Sequence, residues 1–138
     1  MNTIAIRIIF ILLISASISC SEDDSVRVPD LTGAWTLESV NGGILDINIE
    51  FTTSEVVWDF DTVNQEVIIQ NNVQETDGRM AYAGLPSGKY TYQLKKLEQS
   101  LILFINETQI GFIKIENDIL LIDTGISLDG FLTRYRKL

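Results

Sequence analysis

Leu31-Thr32-Gly33-Ala34-Trp35-Thr36-Leu37 begins just after Pro29-Asp30, and from it a run of short alternating segments extends to the C-terminus. In an extended chain Trp35 and Leu37 share one face, with Thr36 and Glu38 on the other. Asn41-Gly42-Gly43 then reads as a turn, because Asn and Gly accept positive φ. Leu45, Ile47, Ile49 and Phe51 alternate with Asp46, Asn48, Glu50 and Thr52, the pattern of a strand with one buried and one wet face. Glu55 to Asp61 repeats it, with Val56, Trp58 and Phe60 set against Val57, Asp59 and Asp61. Gln65 to Gln70, rich in Val and Ile, is a fourth segment.

From Asn71 to Lys89 the pattern stops. Asn71-Asn72, Asp77-Gly78 and Leu85-Pro86-Ser87-Gly88 are turn signals. This is the longest irregular stretch after the N-terminal region, and it reads as a surface loop, with or without a short strand around Arg79 to Ala83. Alternation resumes with Tyr90, Tyr92 and Leu94 against Thr91, Gln93 and Lys95. Ser100 to Ile105 is nearly all apolar, as in a strand covered on both faces. Gln109–Glu116, Asp118–Asp123 and Phe131–Leu138 follow, the last introduced by the turn pair Asp129-Gly130.

The expected fold is therefore all-β: eight or nine short antiparallel strands in up-and-down order, with no substantial helix. Such a meander folds as a sandwich or closes into a barrel. Closure pairs the first strand with the last and removes edges that would otherwise recruit other chains. An eight-stranded barrel has just enough interior to be filled by side chains or to hold one small ligand.

Composition narrows the chemistry. The 138 residues suffice for one domain, and the net charge is −9. So acidic a chain is repelled by phosphate backbones, and no nucleic-acid partner is expected. There is no histidine and a single cysteine, Cys20. Ser-His-Asp and Cys-His catalysis, an intrachain disulfide and a Cys-based metal cage cannot be built from these residues. The expectation is a protein without catalytic activity, cofactor or metal.

The N-terminus reads as an address. A short positive region ending at Arg7 precedes the apolar run Ile8–Ile14, then Ser15-Ala16-Ser17-Ile18-Ser19, and then Cys20. That three-part form is a secretory signal. The apolar run is too short to span a membrane, which takes about 20 residues. Ser17 and Ser19 before a lone cysteine resemble the lipobox of bacterial lipoproteins, with Ser17 standing where leucine is usual. The resemblance implies cleavage after residue 19, which would take the charge from −9 to −10 by removing Arg7, and fatty acyl chains such as palmitate on Cys20. Ser21-Glu22-Asp23-Asp24 reads on composition as a solvated linker. It also resembles the surface-export signal of lipoproteins in some Gram-negative phyla. The implied organisation is a signal peptide at 1–19, a lipidated acidic tether at 20–30 and a barrel at 31–138. The implied location is the cell envelope, as an outer-membrane lipoprotein on its periplasmic or surface face.

Leu31-Thr32-Gly33-Ala34-Trp35-Thr36-Leu37 at the head of such a meander resembles the lipocalin family, and more closely the small lipocalin-like domains of bacterial lipoproteins. The resemblance implies that Gly33 and Trp35 mark the barrel floor, with the indole covered by an arginine from the last strand. Arg134 and Arg136 are the candidates, Arg134 favoured. A guanidinium on an indole contributes about 0.5–2 kcal/mol.

Phe51, Trp58, Phe60, Tyr90 and Tyr92 are candidates to line a cavity for a small hydrophobic ligand. The plainer reading is a filled core, since a domain of this size needs most of its large apolar residues for stability. Glu55, Asp59 and Asp61 gather carboxylates that, if paired, could support acid/base work or bind calcium, though alternation puts Asp59 and Asp61 toward solvent. Asp123 to Gly130 lacks calcium-loop spacing and reads as a turn. The expected function is a membrane-anchored lipocalin-like barrel binding a small hydrophobic or amphipathic ligand; the alternative is a non-catalytic surface interaction or accessory protein with a filled barrel. A carboxylate-dependent hydrolase is a third and weaker reading. No particular protein partner is indicated.

Overall fold

A computed structural model describes residues 28–138. The expected signal peptide, Cys20 and the Ser21–Asp24 run lie outside the described residues. Nine strands run in chain order: β1 (Gly33–Gly42), β2 (Ile47–Glu50), β3 (Val56–Asp61), β4 (Glu66–Asn71), β5 (Gly88–Leu97), β6 (Ser100–Ile105), β7 (Thr108–Glu116), β8 (Ile119–Asp123) and β9 (Phe131–Lys137). Every pairing is antiparallel, and β1 pairs with β9 to close the sheet. Among the described residues the only helical pieces are two 3-10 segments, Gly78–Tyr82 and Ile126–Leu128. The expected all-β barrel is the observed fold.

Eight strands make the barrel and β2 is extra. Trp35 pairs with both Trp58 and Lys137, and Asn41 with both Asn48 and Leu132. So β2 and β3 lie on the same edge of β1, one above the other. Between them Phe51 still bonds to β1, its N–H donating to the Glu38 carbonyl at 2.9 Å, and a turn follows in which Ser54 N–H donates to the Thr36 hydroxyl at 2.8 Å. One expectation fails here. Leu45 is not in the strand; it sits in the β1–β2 turn and is 85 % exposed. Gly42, Gly43 and Asp46 all take positive φ, and the turn runs on to Asp46, three residues past the expected Gly43.

Two bulges keep the apolar residues facing inward. Glu38 is the extra residue between Leu37 and Ser39 against β9, and Ile110 the extra one opposite the Leu103–Phe104 step of β6. Each reverses the side-chain phase, so Leu37 and Val40 both face in although they are three apart. Ile110 and Ile113 show the same spacing on the core side. The tight β6–β7 turn uses Asn106 and Glu107, both at positive φ, as a two-residue hairpin requires.

The two ends differ. At the floor, Leu31 is 1 % exposed and its carbonyl accepts from Trp35 Nε1 at 2.8 Å. Leu138 N–H donates to the Ala34 carbonyl at 2.9 Å, which ties the chain end to β1. At the other end the 72–87 segment forms a roof. Val73 and Ala83 are buried beneath it, and Met80, Tyr82 and Leu85 pack onto the core. The expected surface loop is thus a packed cover, and Arg79 to Ala83 carry a 3-10 turn rather than a strand, with the Asp77 carboxylate accepting from Arg79 N–H at 2.9 Å as its cap.

Candidate functional site

The barrel centre is aromatic and packed. Trp58 lies 5.1 Å from the Tyr135 ring and 6.2 Å from Phe60, and Phe60 meets Tyr92 edge-on at 5.1 Å. Such contacts fill a core with rigid area. Phe51, Trp58, Phe60 and Tyr92 were expected around a ligand; all four are buried. Phe51 lies below the Arg79 guanidinium, 5.5 Å from its carbon. Tyr90 is half-buried, and its hydroxyl donates to the Pro86 carbonyl at 2.9 Å, which ties β5 to the roof. Phe51, Trp58, Phe60 and Tyr92 thus belong to the core cluster, and Tyr90 packs against it. Three open grooves of about 500, 330 and 320 Å³ are lined by other residues, Tyr92 alone excepted. Burial pushes the Tyr135 hydroxyl well above its ordinary range, and burial does the same for Tyr92, helped by Asp30 and Asp61. Trp58 Nε1 is buried with no acceptor among the described residues.

Trp35 occupies the floor beside Gly33, as expected, but Arg134 does not cover it. Glu38, on the face opposite Trp35 and Leu37, presents its carboxylate outward, where Arg134 Nε donates to it at 2.9 Å and Arg136 also pairs with it. Partial burial pushes Glu38 up, but the Arg136 and Arg134 guanidiniums outweigh it and hold the carboxyl below its usual value. The cation over the indole is Lys137, with Nζ 5.4 Å from the ring. Lys137 is the register partner of Trp35, whereas Arg134 and Arg136 flank the inward-facing Tyr135 and point outward.

The three carboxylates are dispersed. Asp59 and Asp61 are exposed on β3. Asp61 accepts from Val63 and Asn64 N–H in the next turn, at 3.0 Å each. Glu55 lies at the opposite end, bidentate to Arg79 at 2.7 and 2.9 Å. Arg79 also meets Asp77 Oδ2 at 2.7 Å and donates to the Glu50 carbonyl at 3.2 Å. This latch binds the roof to the start of β3. Arg79 and Thr52 N–H hold the Glu55 carboxyl below its usual range, and Arg79 does the same for Asp77. Sequence reading missed Arg79; the Asp77-x-Arg79 spacing beside a turn pair was its available signal. The Asp123 carboxylate accepts from Gly125 and Ile126 N–H at 2.7 and 2.8 Å, so that stretch is the turn expected. Among the described residues no three His, Cys, Asp or Glu side chains gather as a metal site needs.

The roofed end carries the feature that alternation could not show. Ile44 and Leu45 in the β1–β2 turn are 82 % and 85 % exposed, and Leu128 in the β8–β9 connection is 85 % exposed. Between these turns lies the groove of about 330 Å³, lined by Ile44, Leu45, Ile47, Tyr82 and Phe131 among others. Tyr82 and Phe131 meet edge-on at 5.7 Å along it. The geometry defines a closed antiparallel barrel with a packed centre, a stitched floor and an apolar tip. Searches against family models, curated proteins and solved structures find no match for the chain.

Proposed function

We propose that this chain is a lipocalin-like lipoprotein of the cell envelope, held to the outer membrane through Cys20, which acts as a non-catalytic interaction or accessory protein by its outer surface. The observation that supports this reading is the buried cluster of Trp58, Phe60, Tyr92 and Tyr135, whose rings contact one another inside the barrel. The lipobox-like residues before Cys20, and the acidic run after it, support the anchored reading. Acyl chains hold a tether to the bilayer at about 0.8 kcal/mol per buried CH₂.

The alternative, a carrier of a small hydrophobic or amphipathic ligand, has one observation in its favour. Trp58 Nε1 is a buried donor without a protein acceptor, which an entering oxygen would satisfy. Native mass spectrometry of the protein from its own host separates the two. The filled-barrel reading expects the mass of the acylated chain alone, and no change of Trp fluorescence across a panel of fatty acids and sterols. A retained small molecule overturns it. The anchor is tested apart from this: Cys20→Ala is expected to move the chain from the membrane to the soluble fraction. Neutralising Glu22, Asp23 and Asp24 is expected to protect the domain from protease added to intact cells while leaving it lipid-bound.

A further inference from the structure

We infer that the barrel tip, made by the β1–β2 and β8–β9 turns with the open edge of β2, docks an extended protein segment in which apolar residues are flanked by Lys or Arg. This deepens the surface-acting reading and rests on it.

The apolar side chains come first. Ile44 and Leu45 are more than four-fifths exposed and line one groove, and the equally exposed Leu128 lies next to Asp129, which lines it too. Turns ordinarily carry Gly, Asn, Asp, Ser and Pro for reasons of backbone geometry. Three large aliphatic residues at one end of the barrel have no folding role there, because nothing in the described chain covers them.

Hydrogen-bonding groups lie beside them. Phe51 N–H donates to the Glu38 carbonyl, which fixes the phase of the β1–β2 ladder. By alternation Ile47 and Ile49 bond to β1, and the N–H and C=O of Asn48 point away from it. Strand β2 ends the sheet order, so that edge is open. Arg79 takes the Glu50 carbonyl, which limits the free stretch to a few residues around Asn48. An extended segment laid there gains main-chain bonds to Asn48 while its side chains reach the Ile47 groove.

Charge selects the occupant. The segments 43–50, 72–87 and 124–130 hold five acidic residues, Asp46, Glu50, Glu75, Asp77 and Asp129, and one basic residue, Arg79. Arg79 is already matched by Glu55 and Asp77. A second copy of this chain would bring the same negative rim, and an anionic bilayer is repelled by it. The described chain also enters the barrel at Val28, at the floor, so an anchored domain turns its tip away from the tether. A cationic, partly apolar segment of another protein matches both the groove and the rim.

The test pans random linear peptides displayed on phage against the detergent-solubilised full chain, with the Leu45→Glu/Leu128→Glu chain as counter-screen. The expected result is enrichment of peptides that mix apolar residues with Lys or Arg. Synthetic copies should bind more weakly as salt rises. They should lose about tenfold in affinity or more to Leu45→Glu/Leu128→Glu, and lose affinity to Asn48→Pro, which deletes the outward N–H. Circular dichroism should show both variants folded. Peptides that bind the variants equally well, or no enrichment, overturn the inference. So does self-association that Leu45→Glu abolishes, or binding of the chain to phosphatidylglycerol vesicles through the tip. A ligand found in the barrel by mass spectrometry would sink the filled-barrel reading. A ligand-free barrel with no peptide binding would sink only the tip.

Discussion

The two tryptophans provide a matched pair. Trp35 and Trp58 are register partners on adjacent strands, 1 % and 2 % exposed. Replacing either by Phe removes roughly 40 Å³ of side chain, which at about 24 cal/mol per Å³ of residual cavity costs about 1 kcal/mol. The indole nitrogens then separate them. Trp35 Nε1 donates to the Leu31 carbonyl at 2.8 Å in the floor. Trp35→Phe leaves that buried carbonyl unpaired, adding about 1–3 kcal/mol. Trp58 Nε1 has no acceptor, so Trp58→Phe removes a desolvated donor and recovers about 1 kcal/mol or more of that penalty. Trp35→Phe is expected to cost about 2–4 kcal/mol and Trp58→Phe close to zero. Urea denaturation followed by far-UV circular dichroism measures both, since that signal does not depend on which indole remains. A Trp58→Phe variant as unstable as Trp35→Phe would refute the reasoning, because the Trp58 N–H would then have a partner.

The roof latch should respond to acid with a defined sign. Glu55 has a folded value below the usual 4.5, so its contribution is complete above that value and is lost as pH falls through the lowered one. Amide exchange in residues 72–87 should stay slow down to the ordinary carboxylate range and quicken only below it. Glu55→Gln should give faster exchange at neutral pH and leave only the Asp77 step in acid. Gly42→Ala places a Cβ 2.5 Å from the Gly130 carbonyl oxygen at φ +121°, and should cost more than about 2 kcal/mol in the same urea assay. Gly78→Ala, which meets nothing within 4 Å, should be nearly neutral and serves as its control.

Period two made most of this barrel legible. Trp58, Phe60, Tyr92 and the flanking strands lie in uninterrupted alternation, and their inward faces follow from it. The method fails where one residue is inserted. After the Glu38 bulge the phase of β1 reverses, so that Val40 rather than Ser39 faces the core. The arginine expected over the indole came from family likeness, whereas the register Trp35–Lys137 depends on how β1 and β9 align across about a hundred residues of chain. The roof was hidden for another reason. Its packing residues, Val73, Met80, Tyr82, Ala83 and Leu85, follow neither a strand nor a helix period, because a 3-10 turn between two loops sets their directions. Arg79 was equally hidden, since its partner Glu55 is 24 residues away.

Leu45 shows what a filled barrel implies. Read as a strand residue, it belonged to the core with Ile47 and Ile49. In the fold it stands in a turn beside Ile44, on a groove that Asp129 and Phe131 also line. The core is complete without them: Trp35, Trp58, Phe60 and Tyr135 are at most 2 % exposed, and the buried aliphatic residues at most 8 %. Exposing three large aliphatic side chains on one end forgoes about 1.5–3 kcal/mol of burial for each relative to a covered site. Folding gains nothing from that placement, and an apolar rim at a sheet edge carries an aggregation risk that the acidic residues around it reduce by repelling identical copies. A surface that is apolar, edged by open hydrogen-bonding groups and repulsive to its own kind is built for a different molecule. Under the proposed surface-acting function, the groove at this end is the contact site that the peptide screen tests.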